Sequence, residues 1–247
     1  MTALGWVGIV RHGQSSANVA MDQAEAAGLA RTGSPHRDAD VPLTEQGRSQ
    51  ARAVGRWLAE LPAEDRPDLV VVSPYLRTVD TARIALTTAF GEGVVSPVFD
   101  ERLRDRELGV LDLLTSHGVA ERFPEELARK KHLGRFYYRP PGGESWADVA
   151  LRVRTLLSEL RTEHAGQRVL FFAHEITVFL LRYLLEEIPE PELRAIALPN
   201  VVANGSITTW EPTAGGGYRM VLAHGTDHLR RHGALPTVAD DAATQTA

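Results

Sequence analysis

The sequence predicts an α/β fold: a three-layer α/β/α sandwich with a mostly parallel central sheet and a small helical cap insertion. Three observations carry this. Short continuous apolar runs recur at residues 6–10, 69–72 and 169–173, as strands buried on both faces do. Stretches with helical spacing fill the intervals between them. The 247 residues, 43% hydrophobic and 24% charged, match ordinary globular usage and suffice to bury a sizeable core.

Taken in order, residues 6–10 give the first strand, and a helix is expected to start near Ser15. Residues 30–40 hold Gly33, Ser34 and Pro35 between two helical patterns and read as a loop. Thr44 can cap a helix reaching Glu60. The β-branched run 69–72 predicts a second strand, followed by a helix over residues 75–90. Residues 111–139 fit no sheet element; they predict the helical cap, because Phe123-Pro124-Glu125-Glu126-Leu127 opens a helical pattern. Ser145 with Asp148 forms a capping-box pattern. Behind it, Trp146, Val149, Val153, Leu156, Leu157 and Leu160 form one apolar helix stripe. A third strand at 169–173 leads to a helix over 176–187, and residues 206–210 and 218–222 read as two further strands. Residues 1–233 are expected to form a single domain, with 234–247 as a disordered tail of small and polar residues.

Composition excludes several classes. Without cysteine there is no disulfide scaffold, cysteine nucleophile or thiolate-held metal. A net charge of −5 argues against a nucleic-acid binder, since no global positive field would gather phosphates. No run of about 18 apolar residues predicts a membrane span. The first ten residues lack a basic start and read as a strand rather than a signal peptide, so a cytoplasmic location is expected. His224, His228 and His232 have the spacing of a metal-binding helix face, but Gly225 and Gly233 weaken such a helix, and no metal or other cofactor is expected.

Open α/β sheets place ligands beyond the carboxyl ends of their strands. The first strand ends in Arg11-His12-Gly13-Gln14, the second in Ser73-Pro74-Tyr75-Leu76-Arg77, the third in Ala173-His174-Glu175. Two histidines and two arginines thus converge from three distant segments. That set suits phosphoryl transfer. A neutral imidazole is a nucleophile toward phosphorus, and arginine presents a permanently charged fork of donors to phosphate oxygens. Neighbouring arginines would also hold a histidine neutral. Gly13 is expected to let the backbone approach a ligand, with Gln14 beside it as a further contact.

The ordered set Arg11-His12-Gly13, Asn18, residues 43–47 (LTEQG), residues 73–78 (SPYLRT), residues 141–145 (PGGES) and His174 resembles the histidine phosphatase superfamily, in its phosphoglycerate-mutase-like branch. The similarity spans about residues 6–212. It implies that His12 is the nucleophile that becomes phosphohistidine, that Arg11, Arg77 and a protonated His174 clamp the phosphate, and that Asn18 contacts it as well. It also implies a proton donor in the segment 101–109. Aligned on Gly109, the donor is Asp105, where most of the branch carries glutamate; Glu107 is the fallback. Glu175 departs from the family's glycine. It could pair with His174, repel the phosphate, or contact the substrate.

The implied activity is hydrolysis of a phosphomonoester on a small phosphorylated substrate, by a metal-independent enzyme. Two alternatives share these residues: a mutase, for which Arg104, Arg106, Arg135 and Arg139 could hold a second anionic group, and a non-catalytic phospholigand-binding protein. A homo-oligomer is compatible with the sequence.

Overall fold

The computed structural model describes residues 3–197 and 202–238. Its strands are the apolar runs. Trp6–Arg11 (β1), Leu69–Val72 (β2) and Arg168–Ala173 (β4) are buried along nearly their whole length. Two residues, Val98–Phe99, form β3, and Ile207–Pro212 (β5) and Tyr218–Gly225 (β6) complete one sheet of order β3-β2-β4-β1-β5-β6. β1, β2, β3 and β4 pair in parallel; β5 is antiparallel to both β1 and β6.

Successive residues of a strand point to opposite faces, and the two central strands divide accordingly. Val7, Ile9, Val169 and Phe171 join one core, and Trp6, Val10, Leu170 and Phe172 the other. The first core is closed by Trp146–Glu163 (α6) and Glu175–Leu185 (α7), through Val149, Val153, Leu156, Leu180 and others. The second is closed by Glu45–Glu60 (α2) and Leu76–Phe90 (α3), through Val54, Leu58, Ala82 and Leu86. These faces are the outer layers of the expected sandwich.

Ser16–Ala26 (α1) follows β1, capped by Ser15 in a reciprocal box with Asn18. The expected loop at 30–40 ends in a single 3-10 turn, Asp38–Asp40. In the segment 111–139, Ser116–Arg122 (α4) and Pro124–Leu133 (α5) gather around a small cluster of their own, Leu111, Leu114, Val119 and Tyr138. Two helices escaped the sequence patterns: Glu190–Ala197 (α8) and the five-residue Asp227–Arg231 (α9).

The stretch expected as a tail is ordered where it begins. Ala234 is buried, and Thr237 hydrogen-bonds Asn204 through both backbone and side chain. The Gln50 amide donates to the Leu235 carbonyl and the Thr237 hydroxyl. The remainder of that stretch lies outside the described residues. Among the described residues, no helix is long and apolar enough to cross a membrane.

Candidate active site

β1 and β4 are neighbours in parallel register, with Arg11 opposite Ala173. The next residue on each strand is therefore a histidine, and the sheet sets their separation. The rings of His12 and His174 lie 5.3 Å apart, edge to face. His12 Nδ1 is 2.8 Å from the Gly13 carbonyl. A carbonyl only accepts, so Nδ1 carries the proton and Nε2 keeps its lone pair. Burial pulls the His12 pKa well below the usual histidine value, and the charges of Arg77, His174 and Arg11 lower it further. His12 is thus a neutral imidazole with its outer nitrogen available.

His174 caps α7 and is fully enclosed. Its Nδ1 lies 3.1 Å from Asp105 Oδ2, so Nε2 accepts from the Ser73 hydroxyl at 2.8 Å. Burial pulls its pKa down to about 4, with Asp105 opposing and Arg77 assisting. The protonated His174 expected from the sequence is therefore neutral near pH 7, because enclosure costs more than one carboxylate returns.

Arg77, from the first turn of α3, is the fixed cation of the site, with only 4% of its side chain exposed. One terminal nitrogen donates to the Asp38 carbonyl at 2.7 Å and to Asp38 Oδ1 at 2.9 Å. The other donates to Asp105 Oδ2 at 2.8 Å. Burial would raise the Asp105 pKa, but His174 and Arg77 outweigh it and hold this carboxyl well below the usual range. Asp38 moves the other way: burial raises it and Asp105 adds repulsion, against the pull of Arg77. Two carboxylates sharing one guanidinium separate in this manner. Asp38 went unnoticed in the sequence because only the folded loop brings it to Arg77.

Arg11 lies near enough to His12 for its charge to lower the His12 pKa. Its guanidinium donates to the Val202 carbonyl and lies 3.8 Å from Glu175, and it is not among the residues lining the cavity described below. Glu175 also accepts from the Val202 amide at 2.8 Å. Glu175 thus pairs with Arg11 and also lines the cavity. Asn18 lines the cavity; its amide oxygen accepts from the Ser15 amide and hydroxyl and from Asn204, so its NH2 is the end to offer a ligand. Asn204 also donates to the His12 carbonyl, and no sequence pattern singled it out.

Gly13 and Gln14 both pack against the start of α2. A Cβ on Gly13 would stand 2.9 Å from the Gly47 carbonyl carbon, so glycine is needed for the close approach to α2. The Gln14 side chain accepts from Thr44, the α2 cap, and neither residue lines the cavity.

The donor segment is held from behind. Arg152 on α6 donates to the carbonyls of Arg102, Arg104 and Asp105 at 2.6, 2.9 and 3.1 Å. Glu144 pairs with Arg152 and with Arg104, and accepts from the Glu107 amide. A Cβ on Gly143 would meet the Glu107 carbonyl, which explains the PGGES stretch as a bracket for residues 101–109. Glu107 accepts from the Tyr75 hydroxyl at 3.2 Å and lines the cavity.

These groups open onto a cavity of about 140 Å³. Its lining includes His12, Asn18, Asp38, Arg77, Asp105, Arg106, Glu107, Asp112, Arg135 and Glu175, with an apolar wall of Met21, Leu113, Trp146, Ile176, Phe179 and Ala197. Arg104 and Arg139 point away, to Glu144 and Asp148. The ligand atoms of His12, Asp105 and His174 lie within 4.8 Å of one another, close enough for a metal. Arg77 binds the same Asp105 oxygen a cation would use, so the set favours an anion. The three C-terminal histidines do not converge: His224 sits on β6, His228 bonds the Gly205 carbonyl and His232 faces Glu60.

Two histidines thus stand at adjacent parallel strand ends, beside a buried arginine, on an α/β sandwich. The chain belongs to the histidine phosphatase superfamily (branch 1), whose model matches residues 7–223. It is 33% identical over 195 residues to a 2,3-bisphosphoglycerate-dependent phosphoglycerate mutase of Rhizobium etli, covering 77% of this chain and 85% of the relative. A phosphoglycerate mutase-like protein of Arabidopsis thaliana is 28% identical, covering 94% and 83%. Among solved structures, a mycobacterial glucosyl-3-phosphoglycerate phosphatase superposes with a TM-score of 0.70 at 26% identity, covering 90% of this chain and 99% of that one.

Proposed function

We propose that the protein is a metal-independent phosphomonoester hydrolase that works through a phosphohistidine at His12. The observation that carries this choice over a mutase is the charge of the cavity lining. Five carboxylates (Asp38, Asp105, Glu107, Asp112 and Glu175) face three arginines (Arg77, Arg106 and Arg135), and the rest of the lining is apolar, histidine or uncharged polar. A bisphosphorylated or carboxylated substrate would bring further negative charge against that wall, at a cost that grows in a low-dielectric site. A monoester with an uncharged body meets no such penalty. The solved phosphatase named above supports hydrolysis over mutase chemistry, although the glycerate in its named substrate carries a carboxylate.

The steps follow from the geometry. His12 Nε2 attacks phosphorus in line with the ester oxygen, and the Gly13 carbonyl stabilises the proton on Nδ1. The P–O bond breaks and Asp105 gives its proton to the departing alkoxide. A phosphate dianion beside Arg77 raises the Asp105 pKa, so substrate itself loads the acid that the neighbouring cation otherwise keeps ionised. Arg77, the Asn18 NH2 and the field of Arg11 offset charge on the equatorial oxygens. Water then attacks the phosphohistidine, and Asp105 takes its proton.

Arg106 and Arg135 line the cavity, and the Rhizobium relative is named a mutase; together they favour phosphoglycerate mutase as the second reading. One pair of assays separates them. The hydrolase reading expects phosphate release from p-nitrophenyl phosphate and neutral alkyl monoesters without added metal, abolished in His12→Ala. Conversion of 3-phosphoglycerate, primed by 2,3-bisphosphoglycerate and faster than any phosphate release, would replace it with the mutase reading.

A further inference from the structure

Arg77 is the group a phosphate at His12 must use, and two carboxylates already hold it. Asp38 takes one terminal nitrogen with its carbonyl and Oδ1, and its Oδ2 stands 3.5 Å from the other nitrogen. Asp105 takes that second nitrogen. The two carboxylates differ in freedom. Asp105 is fastened to the Arg106 amide and lies against His174. Asp38 sits on a single 3-10 turn of the loop between α1 and α2, with 42% of its side chain exposed. It is the partner that can yield.

We infer that Asp38 is a further phosphate-binding residue, which yields Arg77 to the substrate and turns to the bound phosphate as a neutral carboxylic acid, so that phosphate and a proton enter the site together. The inference rests on the anion site assigned above. A dianion next to Asp105 and Asp38 would put three anionic groups around one guanidinium. Protonating Asp38 removes one charge and creates a donor for a phosphate oxygen. The groups facing Asp38 support that assignment. Arg77 comes from α3 and Tyr75 from its N-cap; Asp105 and Asp112 come from the connection between β3 and α4. On its own turn, Arg37 and Asp40 pair with each other at 2.8 Å. With Arg37 held by Asp40, Arg77 is the cation that faces Asp38 in that set, and it is the one a phosphate would claim. Partial burial and the neighbouring acids Asp105 and Asp112 raise the Asp38 pKa against the pull of Arg77, which a bound phosphate would take away.

Sulfate is a suitable probe, because it remains a dianion throughout the range tested and is not turned over. Calorimetry of sulfate binding between pH 5 and 8, in buffers of different ionisation enthalpy, reads affinity and proton uptake together. The wild-type protein is expected to take up a proton and to lose affinity as pH rises, approaching about tenfold per pH unit. Asp38→Asn keeps the size and an N–H donor without the charge. It should bind sulfate at least about tenfold more tightly at pH 8, with a flatter pH profile and less proton uptake. Asp38→Ala should show the same flattening with weaker binding than the asparagine variant, since it lacks the donor. Sulfate affinity unchanged or reduced in Asp38→Asn, an unchanged pH slope, or no sulfate binding by the wild type would each overturn the inference. Sulfate binding requires no catalysis. A protein that binds sulfate as described but cleaves no ester would refute the hydrolase reading and leave the role of Asp38 standing.

Discussion

Arg152→Met tests whether the donor segment is positioned from α6. Methionine has a helix propensity close to that of arginine, so α6 itself is spared. The substitution deletes three bonds to backbone carbonyls, at 2.6, 2.9 and 3.1 Å, and the contacts at 3.0 and 3.1 Å with Glu144. Bonds from a charged donor contribute about 1.5–3 kcal/mol each. Glu144 keeps Arg104 at 2.7 Å and is not left unpaired, and the loosened carbonyls can rehydrate. A net loss of about 3 kcal/mol in urea unfolding is expected, within the roughly 5–15 kcal/mol of a domain this size. The catalytic consequence is more diagnostic. A displacement of Asp105 by about 1 Å would cost about 10²-fold, but only where the leaving group needs its proton. Hydrolysis of alkyl phosphates should fall by that factor, while p-nitrophenyl phosphate, whose phenolate leaves unaided, should lose less than about fivefold. An equal loss on both substrates, or a stability loss with alkyl hydrolysis intact, would refute the positioning argument.

Other consequences are simpler to check. Gly13→Ala drives a methyl into the Gly47 backbone and should cost about 3 kcal/mol, read as a lower thermal midpoint; an unmoved midpoint would show that the contact is not rigid. Glu175→Gln keeps an acceptor for the Val202 amide and removes the charge beside Arg11. It should destabilise by about 1–2 kcal/mol with kcat within about threefold, and a tenfold drop in kcat would place this carboxylate among the reacting groups. His174 and His228 are both pulled to about 4 by burial, against about 6.5 when unfolded. Between those values the unfolded chain binds protons that the native protein refuses. Stability should therefore fall as pH drops from about 6.5 to 4, by up to about 1.4 kcal/mol per pH unit for each histidine, and be unaffected by them above that range. Urea midpoints that stay constant from pH 7 to 5 would contradict the burial of both rings.

The elements legible in the sequence were those whose signal is local. β1, β2 and β4 are apolar on both faces, and Ser15, Thr44 and Ser145 mark helix starts through their own hydroxyls. β3 has two residues, both exposed, so it carries no burial pattern to read. The histidines and Arg77 were legible because strand ends in such a sheet share one edge. The contacts of Gly13 and Gln14 with the start of α2 were not legible, because that partner is distant in the chain. Arg11 turning to Glu175, and Asp38 reaching Arg77, are side-chain choices made only after several segments have packed. The same holds for Arg152, which reads as one more polar position on the outer side of α6.

The strand order carries a cost during synthesis. β4 lies between β2 and β1 and pairs with both, yet it emerges from the ribosome long after them. Until residues 168–173 are made, two almost wholly apolar strands have open edges and no mutual partner, the condition under which nascent chains associate wrongly. The last strand of the parallel set also delivers His174. Completion of the parallel part of the sheet and assembly of the two-histidine site are therefore one kinetic event, and regained activity in a refolding experiment should report the closing of that gap.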